Sequence, residues 1–136
     1  MLTPTDKQKL ITLALQAYAG AYAPYSQYAV GAAVLTAEGK IYTGCNIENA
    51  AYPSSMCAER VAIFKAVSEG HRKLQAIAVV THNGGSPCGG CRQVMREFGS
   101  DGMEVLIADA HGNLLDEMTL AELLPRSFGP EDLEQG

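Results

Sequence analysis

Apolar residues recur at Leu10, Leu13, Ala14, Ala17 and Tyr18, the three- and four-residue spacing of one helical face. Thr3-Pro4-Thr5-Asp6 ahead of them has the form of a helix start, with Thr3 as the cap, Pro4 at the first helical position and Asp6 three residues on. A first helix is therefore predicted to run to about Gly20. Tyr28–Leu35 and Lys40–Cys45 then read as two strands around a turn at residues 36–39, which contains Gly39. Residues 46–55, with their Asn, Pro and Ser, are predicted to form a loop, and 57–70 a second helix with Ala58, Val61, Ala62 and Ala66 on one side and Gly70 at its end.

Residues 75–81 (QAIAVVT) are almost continuously apolar and rich in β-branched side chains, which predicts a strand buried on both faces. A loop at 82–87, a third helix at 88–98, a strand at 104–109, an edge strand at 113–116 and a last helical piece at 119–124, stopped by Pro125, complete the pattern. Helices alternating with strands predict an α/β fold, a mixed sheet of about five strands with helices on both faces. The 136 residues suit one domain spanning 1–136, and 47% hydrophobic content is enough to build its core.

Charge narrows the functional classes. Ten basic residues against fifteen acidic give a net charge of -5, and the longest basic run is Arg72-Lys73, so no nucleic-acid partner is expected. The uncharged stretch 10–37 is interrupted by Gly20, Pro24 and polar residues, which predicts no membrane span. Charges within the first ten residues leave no room for a secretory leader, so a cytoplasmic location is expected. In such a compartment the four cysteines, Cys45, Cys57, Cys88 and Cys91, suit metal binding or catalysis better than disulfides.

Their spacing carries the chemistry. Cys88 and Cys91, in the run Pro87-Cys88-Gly89-Gly90-Cys91, stand three apart at a helix start and can share one ion. Cys57 stands at another predicted helix start, where unpaired N–H groups favour the thiolate. Three ligands leave zinc an open position for water, and the neighbouring carboxylate of Glu59 could carry protons. Two other readings fit the same residues: a structural four-thiol site closed by Cys45, and unrelated buried thiols. For Cys45 alone, a buried thiol at a strand end is the simplest expectation.

Zinc deaminases combine one His or Cys ligand, a proton-carrying Glu and a Pro-Cys-x-x-Cys pair. With that signature, segments 22–33 (YAPYSQYAVGAA), 44–52 (GCNIENAAY), 57–60 (CAER), 67–70 (VSEG) and 87–93 (PCGGCRQ), together with Leu123-Leu124-Pro125, Phe128 and 130–133 (PEDL), resemble the small, homotetrameric cytidine deaminase family over nearly the whole chain. The resemblance implies one zinc ion per chain on Cys57, Cys88 and Cys91, with Glu59 as catalytic proton shuttle. It implies hydrolysis of cytidine and 2'-deoxycytidine to uridine and 2'-deoxyuridine with release of ammonia, as in pyrimidine salvage. Asn46 and Glu48 match the positions that grip the ribose hydroxyls. Ala58 and Tyr52 match pocket positions, and Tyr28 stands where the family usually has Phe beside the pyrimidine. Phe128 would reach over the base from a neighbouring subunit, so that a homotetramer shares its active sites. Arg60 and Arg92, adjacent to Glu59 and Cys91, are expected to support the site from behind the ligands, with Arg60 better placed to offset the sulfur charge.

Overall fold

A computed structural model describes residues 2–133. Helix α1 (Pro4–Tyr18) is closed at its start as predicted: Asp6 N–H donates to Thr3 Oγ1 and Thr3 N–H to the Asp6 carboxylate, both at 3.1 Å. The hairpin β1 (Gly31–Thr36) and β2 (Ile41–Cys45) follows, then helix α2 (Ala58–Ser68), strand β3 (Leu74–Val80), helix α3 (Gly89–Phe98), strands β4 (Gly99–Ala108) and β5 (Leu114–Thr119), and the short α4 (Leu120–Leu123). The sheet order is β2-β1-β3-β4-β5, with only the β3 and β4 pair parallel.

The central strand β3 explains the layering. Ala76, Ala78 and Val80 face one side and pack with Leu10, Ile11 and Ala14 of α1. Ile77 and Val79 face the other and pack with Ala62 and Ile63 of α2, Met95 of α3 and Leu120 of α4. Small side chains on the α1 face let that helix lie close to the sheet, while the opposite face is filled by larger ones. The α/β sheet with helices on both faces is thus as the pattern predicts.

Three boundaries differ by three residues or more. The first strand starts at Gly31 rather than Tyr28, because the Tyr28 carbonyl and Val30 N–H bond the side-chain amide of Asn46 at 2.8 and 2.9 Å instead of a neighbouring strand. Strand β4 begins at Gly99, five residues earlier than read, since Leu74 pairs with Gly99 and Ala76 with Glu104, and the intervening residues bulge. Strand β5 extends to Thr119, which then caps α4 through the Glu122 N–H. The connection from β3 through α3 to the parallel strand β4 brings the N-terminus of α3 to the carboxyl end of β3, where open α/β sheets hold their ligands. Among the described residues, no helix is long and apolar enough to cross a membrane.

Candidate active site

Cys57 and Cys88 are the residues immediately before α2 and α3, both in extended backbone, and Cys91 lies one turn into α3. Their sulfur atoms all lie within 4.8 Å of one another, with Cys88 and Cys91 3.5 Å apart. Cys45 does not join them; its thiol donates to the Gly20 carbonyl at 3.4 Å, which rules out the closed four-thiol arrangement. Cys91 is buried, Cys57 half-buried and Cys88 exposed, so the cluster opens to one side.

Three thiols this close do not ionise together unaided. A hydrogen bond from Cys91 pulls the Cys57 pKa down to about 6, with Arg60 assisting, while the same bond and burial drive the Cys91 thiol upward. A divalent cation relieves that conflict, and three sulfur ligands with one open side suit zinc with a coordination position left free.

Glu59 lies beside the cluster at 5% exposure. Burial raises its pKa to about 7 and the Cys57 thiolate adds to the effect, with a hydrogen bond from its own backbone N–H and Arg60 opposing. A carboxyl balanced near neutrality can both take and give a proton.

Arg60 places Nη2 4.0 Å from Cys88 Sγ, and its buried Nε has no hydrogen-bond partner among the described residues. Its guanidinium occupies the space of the missing side chain at Gly90: a Cβ there would overlap Nη2 and lie 3.3 Å from Cζ. A Cβ at Gly89 would meet nothing. Gly90→Ala is therefore expected to push the guanidinium off its seat and speed loss of zinc to a chelator, whereas Gly89→Ala, with the same gain of helix propensity of about 1 kcal/mol, leaves release unchanged. Equal release rates for the two variants would show that the seat of Arg60 has no bearing on the metal.

Arg92 is engaged elsewhere. Its guanidinium donates to the carbonyls of Pro87 and Leu123 at 2.8 Å each and to Ser86 Oγ at 3.0 Å, fixing the approach to α3 and tying it to α4. None of these partners is a thiol.

The sulfur cluster and Glu59 form one wall of a cavity of about 390 Å3. Tyr28, Asn46, Glu48, Tyr52 and Ala58 line it too. Asn46 is almost buried and holds its own loop through Tyr28 and Val30, which leaves one amide proton and one lone pair free for a ligand. Glu48 accepts from the N–H groups of Tyr25 and Ser26 at 2.9 and 3.0 Å and from the Ser26 hydroxyl, and these bonds hold its carboxyl below the usual range. Tyr52 stands at the rim, 61% exposed. Phe128 does not line the cavity; it is 57% exposed, and its carbonyl accepts from Gln93 Nε2 at 2.8 Å. The cavity also uses Ser26, Met56, Val79, Thr81 and Ser86, which the sequence reading passed over. Their one signal in the sequence is adjacency: Val79 lies at the end of the buried strand and Thr81 directly follows it, and Ser86 precedes the Pro-Cys-x-x-Cys run. No Lys, Arg or His lines it among the described residues.

Residues 4–107 match the family model described as the cytidine and deoxycytidylate deaminase zinc-binding region. A cytidine deaminase of Sporosarcina psychrophila is 51% identical over 94% of this chain and 95% of its own length, and that of Halalkalibacterium halodurans is 49% identical over 94% and 98%. The crystal structure of cytidine deaminase from Burkholderia pseudomallei superposes with a TM-score of 0.84 at 44% identity, covering 93% of this chain and all of the other. A family match that runs from α1 into β4, and full-length relatives sharing about half their residues, establish that this chain belongs to the zinc-binding cytidine and deoxycytidylate deaminase family.

Proposed function

We propose that this chain removes the amino group of cytidine and 2'-deoxycytidine hydrolytically, giving uridine and 2'-deoxyuridine and free ammonia. The observation that carries the reading is the coincidence of three convergent thiols with a buried carboxyl on one cavity wall. Cys57, Cys88 and Cys91 would hold the metal. When bound, zinc supplies a Lewis acid that makes water easier to deprotonate. Glu59 takes a proton from the water that attacks the ring carbon bearing the amino group. It passes that proton to the adjacent ring nitrogen, then takes the second proton of the water from the new hydroxyl and gives it to the departing amine, so that a C–O bond forms and becomes the carbonyl, the C–N bond breaks and ammonia leaves. Asn46 and Glu48 hold the ribose hydroxyls, Tyr28 and Tyr52 flank the base, and Ala58 offers its backbone at the cavity wall.

The family description covers both a nucleoside and a nucleotide, and the cavity favours the nucleoside. It contains the carboxylates of Glu48 and Glu59 and no cationic side chain among the described residues, so a phosphate would enter without compensation. The test is ultraviolet absorbance of cytidine, deoxycytidine, cytosine, adenosine and cytidine 5'-monophosphate with zinc-loaded protein. Turnover of the two nucleosides is expected, and far slower turnover of the others; a faster monophosphate, or no nucleoside turnover, contradicts the reading.

The wider setting belongs to the same proposal: a single domain over residues 1–136, acting in the cytoplasm in pyrimidine salvage, as a homotetramer in which Phe128 completes a neighbour's cavity. The exposed ring of Phe128, outside its own cavity, supports that last element. Phe128→Ala is expected to raise KM several-fold, about the 0.5–1.5 kcal/mol of one aromatic contact, while zinc content stays the same. A fully active monomer in analytical ultracentrifugation would exclude shared sites.

A further inference from the structure

Tyr28 stands where the loop ahead of β1 meets the loop between β3 and α3. Its hydroxyl donates to Asn83 Oδ1 at 2.8 Å, and its ring meets His82 edge-on with centroids 5.2 Å apart. Thr81, 2% exposed at the root of the second loop, accepts from the Gly85 N–H at 2.7 Å and reaches Asn83 Oδ1 at 3.4 Å. The tyrosine hydroxyl is thus fastened into the internal bonding of the loop.

Gly85 makes room for it. A Cβ at Gly85 would overlap the Tyr28 hydroxyl oxygen, while the next nearest atoms, Tyr28 Cζ at 3.5 Å and Asn83 Oδ1 at 3.6 Å, would be in ordinary contact. The φ of Gly85 lies outside the left-handed region, so the backbone does not demand glycine there. The hydroxyl alone does. The same loop ends in Ser86 on the cavity wall and in Cys88, where Arg92 secures its far side.

We propose that Tyr28 is a positioning residue for the metal centre. Its hydroxyl, bonded to Asn83 in the space left by Gly85, clamps loop 81–88 and so holds Cys88 where it joins Cys57 and Cys91. A phenylalanine would supply the ring without the clamp. The inference concerns retention of zinc, so it stands apart from which nucleoside is the substrate.

The test follows release of zinc from the loaded full-length chain to excess chromogenic chelator. Tyr28→Phe and Asn83→Ala are each expected to speed release about fivefold, the net worth of one hydrogen bond, and together to do no more than either alone. Gly85→Ala speeds release at least as much, and adding Tyr28→Phe brings it back to the rate of Tyr28→Phe alone, because the obstructing oxygen is gone. If Gly85→Ala does not fold, the Tyr28→Phe and Asn83→Ala pair carries the test. Unchanged release, additive effects of that pair, or Gly85→Ala damage that persists without the hydroxyl overturns the proposal. So does faster release that merely tracks a lowered urea midpoint of the metal-free protein.

Discussion

Glu59→Gln is expected to lower kcat by about four orders of magnitude, the upper range for loss of general acid-base catalysis, and to leave zinc content at one ion per chain. The amide keeps the size of the carboxyl, so the cavity wall stays in place, but it accepts no proton from water and delivers none to the ring nitrogen or the amine. Stability should move the other way. Burial raises the Glu59 pKa from 4.5 to about 7, so between those values the folded protein holds a proton that the unfolded chain has released. Stability therefore falls as pH rises through this window, and the whole cost, on the order of 3 kcal/mol, is present above pH 7. Glutamine carries no such cost. Melting curves of the metal-free proteins should coincide at pH 4 and separate by pH 8, with the variant the more stable. Coincidence at pH 8 would mean that Glu59 ionises in place without penalty, and retained activity would remove it as the proton carrier.

Replacing Cys57, Cys88 or Cys91 by Ala should abolish zinc binding and activity together. The three sulfurs lie within 4.8 Å of one another and come from two helix starts, so each variant leaves two ligands and a gap that no other thiol can reach. Loss of an outer-shell partner already costs about 10- to 100-fold in metal affinity, and loss of a direct ligand should exceed that. Cys45→Ala is the control, since its sulfur bonds the Gly20 carbonyl outside the cluster. Metal analysis after gel filtration reads the result. Zinc lost with Cys45, or kept without Cys88, would mean a different donor set.

The sequence showed the fold wherever burial was periodic. The apolar run at 75–81 identified the central strand, and Leu10, Leu13, Ala14 and Tyr18 identified the face of α1 that packs on it, although the buried Ile11 lay outside that series. Cys57, Cys88 and Cys91 were legible because metal chemistry needs particular residue types at particular spacing. Glu59 was legible only through those partners. What escaped were contacts that leave no period: the Asn46 side chain taking the bonds of a strand start, the bulged opening of β4 at residues 99–103, whose Gly, Ser and Asp carry no strand pattern, and the link of Tyr28 to Asn83. Arg60 and Arg92 show the same limit. Both flank the site in sequence, yet one guanidinium lies against a sulfur and the other bonds main-chain carbonyls and a serine, a difference set by packing between α2, α3 and α4.

The most direct test of the central claim, that three thiols hold a zinc on which deamination depends, is titration of zinc into metal-free protein while the initial rate of cytidine absorbance loss is followed. The rate is expected to be negligible without metal, to climb linearly and to break at one zinc per chain, the capacity of a single three-thiol cluster. Deamination that proceeds at full rate in the metal-free protein, or a filled site with no deamination, would contradict the claim.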